Sequence, residues 1–437
     1  MTKIKKIALA VSALGFMGSH IVPAHAGEID DLKAMMKQMQ ERLAQLEAKQ
    51  KAAPAAAAPA NAVVAGDIPG SIKVPGTDTS LKVYGYAQLD MVKDFKGRND
   101  DINNNDWASA VFVQPFDNST AGSKKKGQVY LTGKTSRLGV MTSTPTDMGN
   151  LTVKLEGDFN APNAFQGELA TNSVGFRLRH AYGQVGNWLV GQTWGNFLDL
   201  RSFADTVDFN GPGGNPLLRH PQVRYTANVG QGSTLAVSLE NPASLTFSGS
   251  DFDKNPDLVA NWSYNTDKGH LSLRAVSHEY SNAVRSKRGY GVGLGGSMMF
   301  GKDTLVAQVN TGDGIGRYML NSLIQGAADV GSEIRLWRAT GWHLGYTHVW
   351  SPAVRSNLVV SQTRFASDAK LDAFGRGLGS ADLVPNKKID QAFLNTFWGI
   401  AKNTELGLEY AYGKRTTFGP EVGTQERINA TVHYNFY

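Results

Sequence analysis

Short polar turns and long polar connections alternate along this chain, and the alternation follows strand parity. About sixteen stretches show apolar residues at every second position between turn signals. They lie near 81–93, 129–143, 150–159, 173–186, 188–195, 222–229, 233–240, 257–265, 270–279, 289–300, 303–310, 338–350, 354–364, 388–400, 404–413 and 426–437. The connections after even strands are tight, as at Gly186-Asn187, Gly301-Lys302 and Ala401–Asn403. Those after odd strands are long, as at 94–128, 196–221, 311–337 and 365–387. A soluble sandwich has no reason to sort loop length by parity. A closed antiparallel barrel crossing a membrane does, because one rim carries short turns and the other long loops. The fold class expected is all-β, a transmembrane antiparallel barrel of about sixteen strands over 80–437, preceded by a short helical coiled coil.

The faces agree. Successive side chains of a strand point to opposite sides, so Leu151, Val153, Leu155 and Phe159 oppose Thr152, Lys154, Glu156 and Asp158. In the last strand Ile428, Ala430, Val432, Tyr434 and Phe436 form one apolar face. This segment resembles the C-terminal strand of bacterial outer-membrane barrels, with Tyr437 as one extra residue after the Tyr-x-Phe pattern. Trp188, Trp194, Trp262, Tyr264, Trp342, Trp350, Trp398, Tyr410 and Tyr412 fall near strand ends, as girdle aromatics should.

At the other end Lys3, Lys5 and Lys6 precede an apolar stretch, and Ala24-His-Ala26 is a small-x-small cleavage signal, so 1–26 reads as a signal peptide. Its removal lowers the net charge from +6 to +3, which gives no support to a nucleic-acid partner. Ile29, Leu32, Met36, Met39, Leu43 and Leu46 then occupy a and d positions within 27–50. A helix this short is marginal alone, so the seam calls for partner helices; mixed Leu and Met leaves two or three strands open. Residues 51–79 are an Ala/Pro-rich linker and lead-in to the first strand. With an even strand number both ends leave at the short-turn rim, placing the coiled coil in the periplasm of a Gram-negative cell.

A barrel of this size is too wide for side chains to fill, so polar inward residues become the wall of a water-filled path. Alternation turns Lys154, Arg177, Arg179, Arg224 and Arg274 inward, since a cation on the lipid face near the bilayer midplane costs roughly 2–4 kcal/mol. Arginine and lysine rings favour anions, although inward Asp90, Glu156, Asp158, Glu405 and Glu409 offer partners that would make the same cations structural. The connection Asn196–His220 mixes large apolar residues, Gly/Pro turns and both signs of charge. In sixteen-stranded porins the loop at this position folds inward; by that resemblance Asp199, Arg201, Asp205, Asp208 and Arg219 become constriction candidates, with Phe197, Leu198, Leu200, Phe203 and Phe209 as anchors, the alternative being an external loop whose charges face water.

The run Ile72–Asp90, together with Thr135-Ser-Arg-Leu-Gly139, Glu156-Gly-Asp-Phe159, Arg177-Leu-Arg-His-Ala-Tyr-Gly183, Gly191-Gln-Thr-Trp194, Pro221-Gln-Val-Arg-Tyr-Thr226 and Gly312-Asp-Gly-Ile-Gly-Arg-Tyr318, resembles the DcaP-like porin family in order along the chain. Gly195-Asn196 stands where the family pattern has Ser-Thr. The resemblance implies a homotrimeric outer-membrane channel with a periplasmic coiled coil, taking up dicarboxylates and other small anions. Outer-membrane lipid and lipopolysaccharide follow as surroundings, and the cell wall as a partner the coiled coil could reach.

Other chemistry is sparse. The chain has no cysteine, and its nine histidines show no metal-ligand spacing, so neither metal nor cofactor is expected. The run Gly291-Val-Gly-Leu-Gly-Gly296 sits within a strand, which argues against a dinucleotide loop and suggests close packing at a subunit contact. The alternatives to a selective channel are a non-selective porin, a barrel enzyme built around His278 and His343, and a cell-wall anchor.

Overall fold

The computed structural model describes residues 34–45, 63–96, 127, 129–161, 175–243, 246, 252–319, 325–378, 384–419 and 422–436. The chain divides into two units, 1–62 and 63–437. In the first, residues 34–45 are helical, and the seam residues Met36, Met39 and Leu43 are exposed. Ile29, Leu32 and Leu46, the signal segment 1–26 and linker residues 51–62 lie outside the described residues.

The second unit is a closed barrel of sixteen antiparallel strands. They are β1 (Ser80–Lys96), β2 (Arg137–Thr146, preceded by the collinear piece Val129–Thr132), β3 (Gly149–Ala161), β4 (Gly175–Val185), β5 (Trp188–Trp194), β6 (Arg219–Gly230), β7 (Ser233–Glu240) and β8 (Asp257–Thr266). The second half comprises β9 (Gly269–Ser281), β10 (Ser286–Phe300), β11 (Asp303–Asp313), β12 (Arg338–Ser351), β13 (Val354–Phe365), β14 (Asn386–Ala401), β15 (Thr404–Thr417) and β16 (Val422–Asn435). Each strand pairs with its sequence neighbour, and β16 closes on β1 with Ala87 opposite Tyr434 and Asp90 opposite Thr431. Closure leaves no unpaired edge in the lipid, where unpaired backbone groups would be costly.

The turns after even strands are two residues long, such as Asp147-Met148 and Lys302 with Gly301. Left-handed backbone at Gly186, Gly232, Gly301 and Asn403 (φ 54°, 69°, 64° and 63°) lets these tight turns match the strand twist. The faces are inverted relative to a soluble protein. Leu394 is 59% exposed on the outside while its neighbour Phe393 is 1% exposed inside. Trp188, Tyr264 and Trp350 are exposed near the short-turn rim, as a girdle requires. Trp342 departs from that expectation, lying in the outer wall opposite Val309 rather than at a strand end. Trp194 ends β5 as expected, but it stacks on Arg219 and lies against inward Arg179.

Part of the interior is packed. Phe197, Ile315, Tyr318, Met319, Trp337, Phe365 and Leu371 form an apolar cluster inside β8–β13. Its loop members include Phe197 after β5, the 3-10 turn Ile315–Tyr318 with Met319 and Trp337 after β11, and Leu371 of the helix Ala369–Arg376 after β13.

Candidate functional site

The connection after β5 enters the lumen. Asn196 starts the inward turn: its N–H donates to Glu240 Oε1 at 2.6 Å and its side-chain amide donates to the Ala236 carbonyl at 3.1 Å. This gives the departure at Gly195-Asn196 a physical role, since a Cβ at Gly195 would stand 2.9 Å from Glu240 Oε2. The loop then follows β8 and β9, where Asn261 donates to the Asn196 carbonyl and Arg274 to the Phe197 carbonyl at 2.8 Å. Near the short turn Asp199 accepts from His270 Nε2 at 2.9 Å and Ser272 Oγ at 2.6 Å, while Arg201 bonds Asn265.

Crossing the lumen, the chain reaches β12–β15. The Ser202 carbonyl accepts from His343 at 2.7 Å, Asp205 accepts from Arg355 Nε at 2.8 Å, and the N–H groups of Val207 and Asp208 donate to Glu409 at 2.8 and 3.0 Å. Gly213 donates to Gln391, and the Gly214 carbonyl accepts from Asn310 of β11. Phe209 packs on Val92 of β1.

The wall is carved to receive it. A Cβ at Gly341 would stand 2.6 Å from the Gly214 Cα, at Gly345 2.7 Å from the Ala204 Cβ, and at Gly407 2.9 Å from Val207. Gly291, Gly293 and Gly295 also face inward; a Cβ at Gly291 would meet Ile315 and one at Gly295 would collide with Asp199 and Ser202. Gly291, Gly293 and Gly295 therefore make room on the inner face for the loops and Arg274, which corrects for these three the expectation of packing at a subunit contact.

The inner wall of β2–β4 carries the charge. Glu156 and Asp158 are buried and shared among four cations. Arg177 binds Asp158 through both Nε (2.9 Å) and Nη2 (2.8 Å), and Arg179 bridges Glu156 (3.0 Å) and Asp158 (2.7 Å). Arg137 and Lys154 approach Glu156 at 3.5 and 3.2 Å. Four positive and two negative charges leave an excess of two. Phe209 of the inward loop lies 6.0 and 5.8 Å from the Arg177 and Arg179 guanidinium carbons, so the loop faces this wall. A register shift between Glu156 and Gly157 puts Arg179 and His180 both inside, which strict alternation does not foresee.

The expected site residues thus separate by position. Lys154, Arg177 and Arg179 come together, and Arg137 joins them; its signal was alternation with the outward Leu138 in Thr135–Gly139. Arg224 donates to Gln222 and to the Trp194 carbonyl, and Arg219 lies 3.5 Å over the Trp194 ring. Arg274 is 1% exposed and holds the loop, so the reading that it lines the path is corrected. Asp199 and Asp208 are likewise buried anchors rather than charges facing the passage. For Asp199, burial alone would raise the carboxyl pKa, but the hydrogen bonds from His270 and Ser272 hold it well below the usual carboxylate range. Arg201 and Asp205 remain exposed. Among the apolar anchors, Phe197 and Leu198 are buried, while Leu200 is 49% exposed and anchors nothing.

A sixteen-stranded barrel with an inward loop and a charged inner wall is the architecture of an outer-membrane diffusion channel. The chain belongs to the DcaP outer membrane protein family, whose profile matches residues 37–436. It is similar to the outer-membrane channel DcaP of Acinetobacter baumannii, with 26% identity and a TM-score of 0.72 over 85% of this chain and all of that one. An anion-selective porin from Comamonas acidovorans shares the fold at 15% identity and a TM-score of 0.52, covering 82% of this chain and all of that one. Porin Omp2b of Brucella suis is 28% identical over 176 residues, which span 39% of this chain and 40% of that relative. The protein is an outer-membrane porin.

Proposed function

We propose that the channel favours small anionic organic acids, dicarboxylates among them, and that the cluster of Arg137, Lys154, Arg177 and Arg179 carries this preference. The supporting observation is the excess of cations over carboxylates on one inner wall, facing a loop that enters the lumen. Bidentate guanidinium groups match carboxylate geometry, and a carboxylate passing the cluster finds N–H donors not used by Glu156 and Asp158. Arg201 of the loop and Arg219 on Trp194 extend the same chemistry. The pairing itself favours a second reading, a porin without preference, in which the arginines only stiffen the wall.

Reversal potentials across a planar bilayer in a gradient of a dicarboxylate salt separate the two. With Arg177→Gln and Arg179→Gln combined, the potential should move toward cation preference, more at low salt where screening is weaker. An unchanged potential favours the non-selective channel.

The helix points to an assembly through its seam. Met36, Met39 and Leu43 leave an uncovered apolar seam, and three copies joined along it in the periplasm, with Ile29, Leu32 and Leu46 continuing the heptads, would bury it. The seam itself suits two or three helices; the family resemblance favours three, a homotrimer with its coiled coil directed at the cell wall.

A further inference from the structure

The outer wall of β9–β12 is not smooth. Gly296 and Ala307, direct partners across β10 and β11, leave a hollow of about 550 Å³ among Leu294, Met298, Trp342 and Leu344. The hollow is apolar and opens on the lipid side, where Leu294 and Leu344 are exposed. Toward the long-loop rim the same face carries ion pairs. Arg338 lies on β12 four residues from Trp342, about 13 Å along the strand, within reach of one fatty-acyl chain. It pairs with Asp313 on β11 and is 65% exposed at the side chain. Arg288 lies two strands away on β10, two residues beyond Tyr290, and bonds Ser277 and Glu279.

On β13 and β14, Arg364 and Lys388 are direct cross-strand partners on the outward face. Like charges in that position repel. Lys388 is held by Asp390 at 2.7 Å, while among the described residues no side chain bonds the Arg364 guanidinium. These four cations against three carboxylates leave an excess of one positive charge, at Arg364, above an apolar hollow, which suits an amphiphile with an anionic head and acyl tails. With long loops facing outward, as in outer-membrane barrels, these cations lie at the level of the outer leaflet's head groups.

We propose that this wall binds an acylated, phosphorylated glycolipid of the outer leaflet, its phosphate on Arg338 and Arg364 with Arg288 two strands from Arg338, and one acyl chain in the hollow floored by Gly296 and Ala307. Hydrogen bonds from guanidinium groups suit phosphate oxygens, and the hollow gives the chain more contact than a flat wall.

The test is native mass spectrometry of the purified full chain in detergent. Three probes are offered: lipid A with two phosphates, the same lipid after removal of its phosphates, and phosphatidylethanolamine. The parent should retain the phosphorylated lipid preferentially. Arg338→Gln with Arg364→Gln should weaken that retention roughly 10- to 30-fold, by the contribution of two basic residues near a lipid surface. Ala307→Trp fills the hollow without touching the cations and should also weaken it. Folding of each variant is read from heat-modifiability on gels, and channel activity separately from conductance. Loss of conductance in the parent would count against the channel reading and leave the lipid site untouched. Equal retention by all three proteins, or no preference for phosphate, would overturn the lipid site. So would copy-to-copy cross-linking through a cysteine placed at Leu344 in this cysteine-free chain, because the face would then be covered by a second subunit.

Discussion

The Glu409 carboxylate on β15 accepts the backbone N–H of Asp208 at 3.0 Å, tying a loop that leaves β5 to the far side of the barrel. The same carboxylate also accepts from Val207, Asn395 and Asn429, so one buried acid organises the crossing. Nothing in the alternation of β15 separates this acid from Glu405, which bonds Arg355 instead.

Removing that tether should free the loop. Glu409→Ala deletes an acceptor for two backbone donors, a loss of about 1–3 kcal/mol where water does not replace it. Barrel folding should survive, because closure rests on strand pairing. Single-channel records should show a rise in conductance and in open-channel noise. Records as quiet as the parent's would mean the loop is held by its other contacts.

Gly345 offers the opposite perturbation. Its missing side chain admits Ala204, and no flexible atom stands in the way to yield. Gly345→Leu should expel that part of the loop or strain the wall, with an overpacking cost of about 1–3 kcal/mol. Heat-modifiability should shift to lower temperature, and conductance should change with it. Gly399→Leu, beside the short turn after β14 with only Ala353 near, is the control expected to do neither.

Strand positions were legible in the sequence because burial on one side and lipid on the other impose a strict period of two. All sixteen expected strands are present, with ends displaced by a few residues, as the long-loop rim extends strands such as β1 to Lys96 and β16 back to Val422. The inward course of the loop was legible only through family resemblance and its large apolar residues. Its individual roles were not. Whether Asp199 faces the passage or His270 depends on where the loop meets β9, and no local pattern encodes that register. Arg274 misled for the same reason: alternation places it inside, but only the folded loop shows that the Phe197 carbonyl occupies it. The glycines of β10 read as a packing feature, yet the partner that inward Gly291 and Gly295 admit is the chain's own loops.

The helical segment allows a test of modular assembly. Residues 63–437 form their own compact unit, and a closed barrel satisfies its own backbone hydrogen bonds. Deleting 27–50 should leave a folded, conducting barrel while lowering the temperature at which the oligomer dissociates on gels. Loss of the folded barrel in the truncated protein would show that the two parts are not separable.

Asp199 gives the loop a sensitivity to acid. Its carboxyl is held below the ordinary value of 3.8 because the folded state, despite burial, surrounds the charged form with hydrogen bonds from His270, Ser272 and Ser202. For a depressed pKa the sign is fixed: the contribution to stability is fully present above the unfolded value and is lost as pH falls through the folded one. Neutral solution therefore holds the loop at full strength, and weakening begins only below about pH 4. Conductance noise recorded in steps from pH 7 to pH 3 should stay flat and then rise at the acid end. Asp199→Asn keeps nearly the same shape against Gly295 but cannot titrate. It should be noisier than the parent at pH 7 and should lose the part of the acid response that depends on Asp199. If the parent and the Asn variant respond to acid identically, the His270–Asp199 contact is not what holds this stretch of the loop, and the anchor must be sought in the Arg274 bond to the Phe197 carbonyl instead.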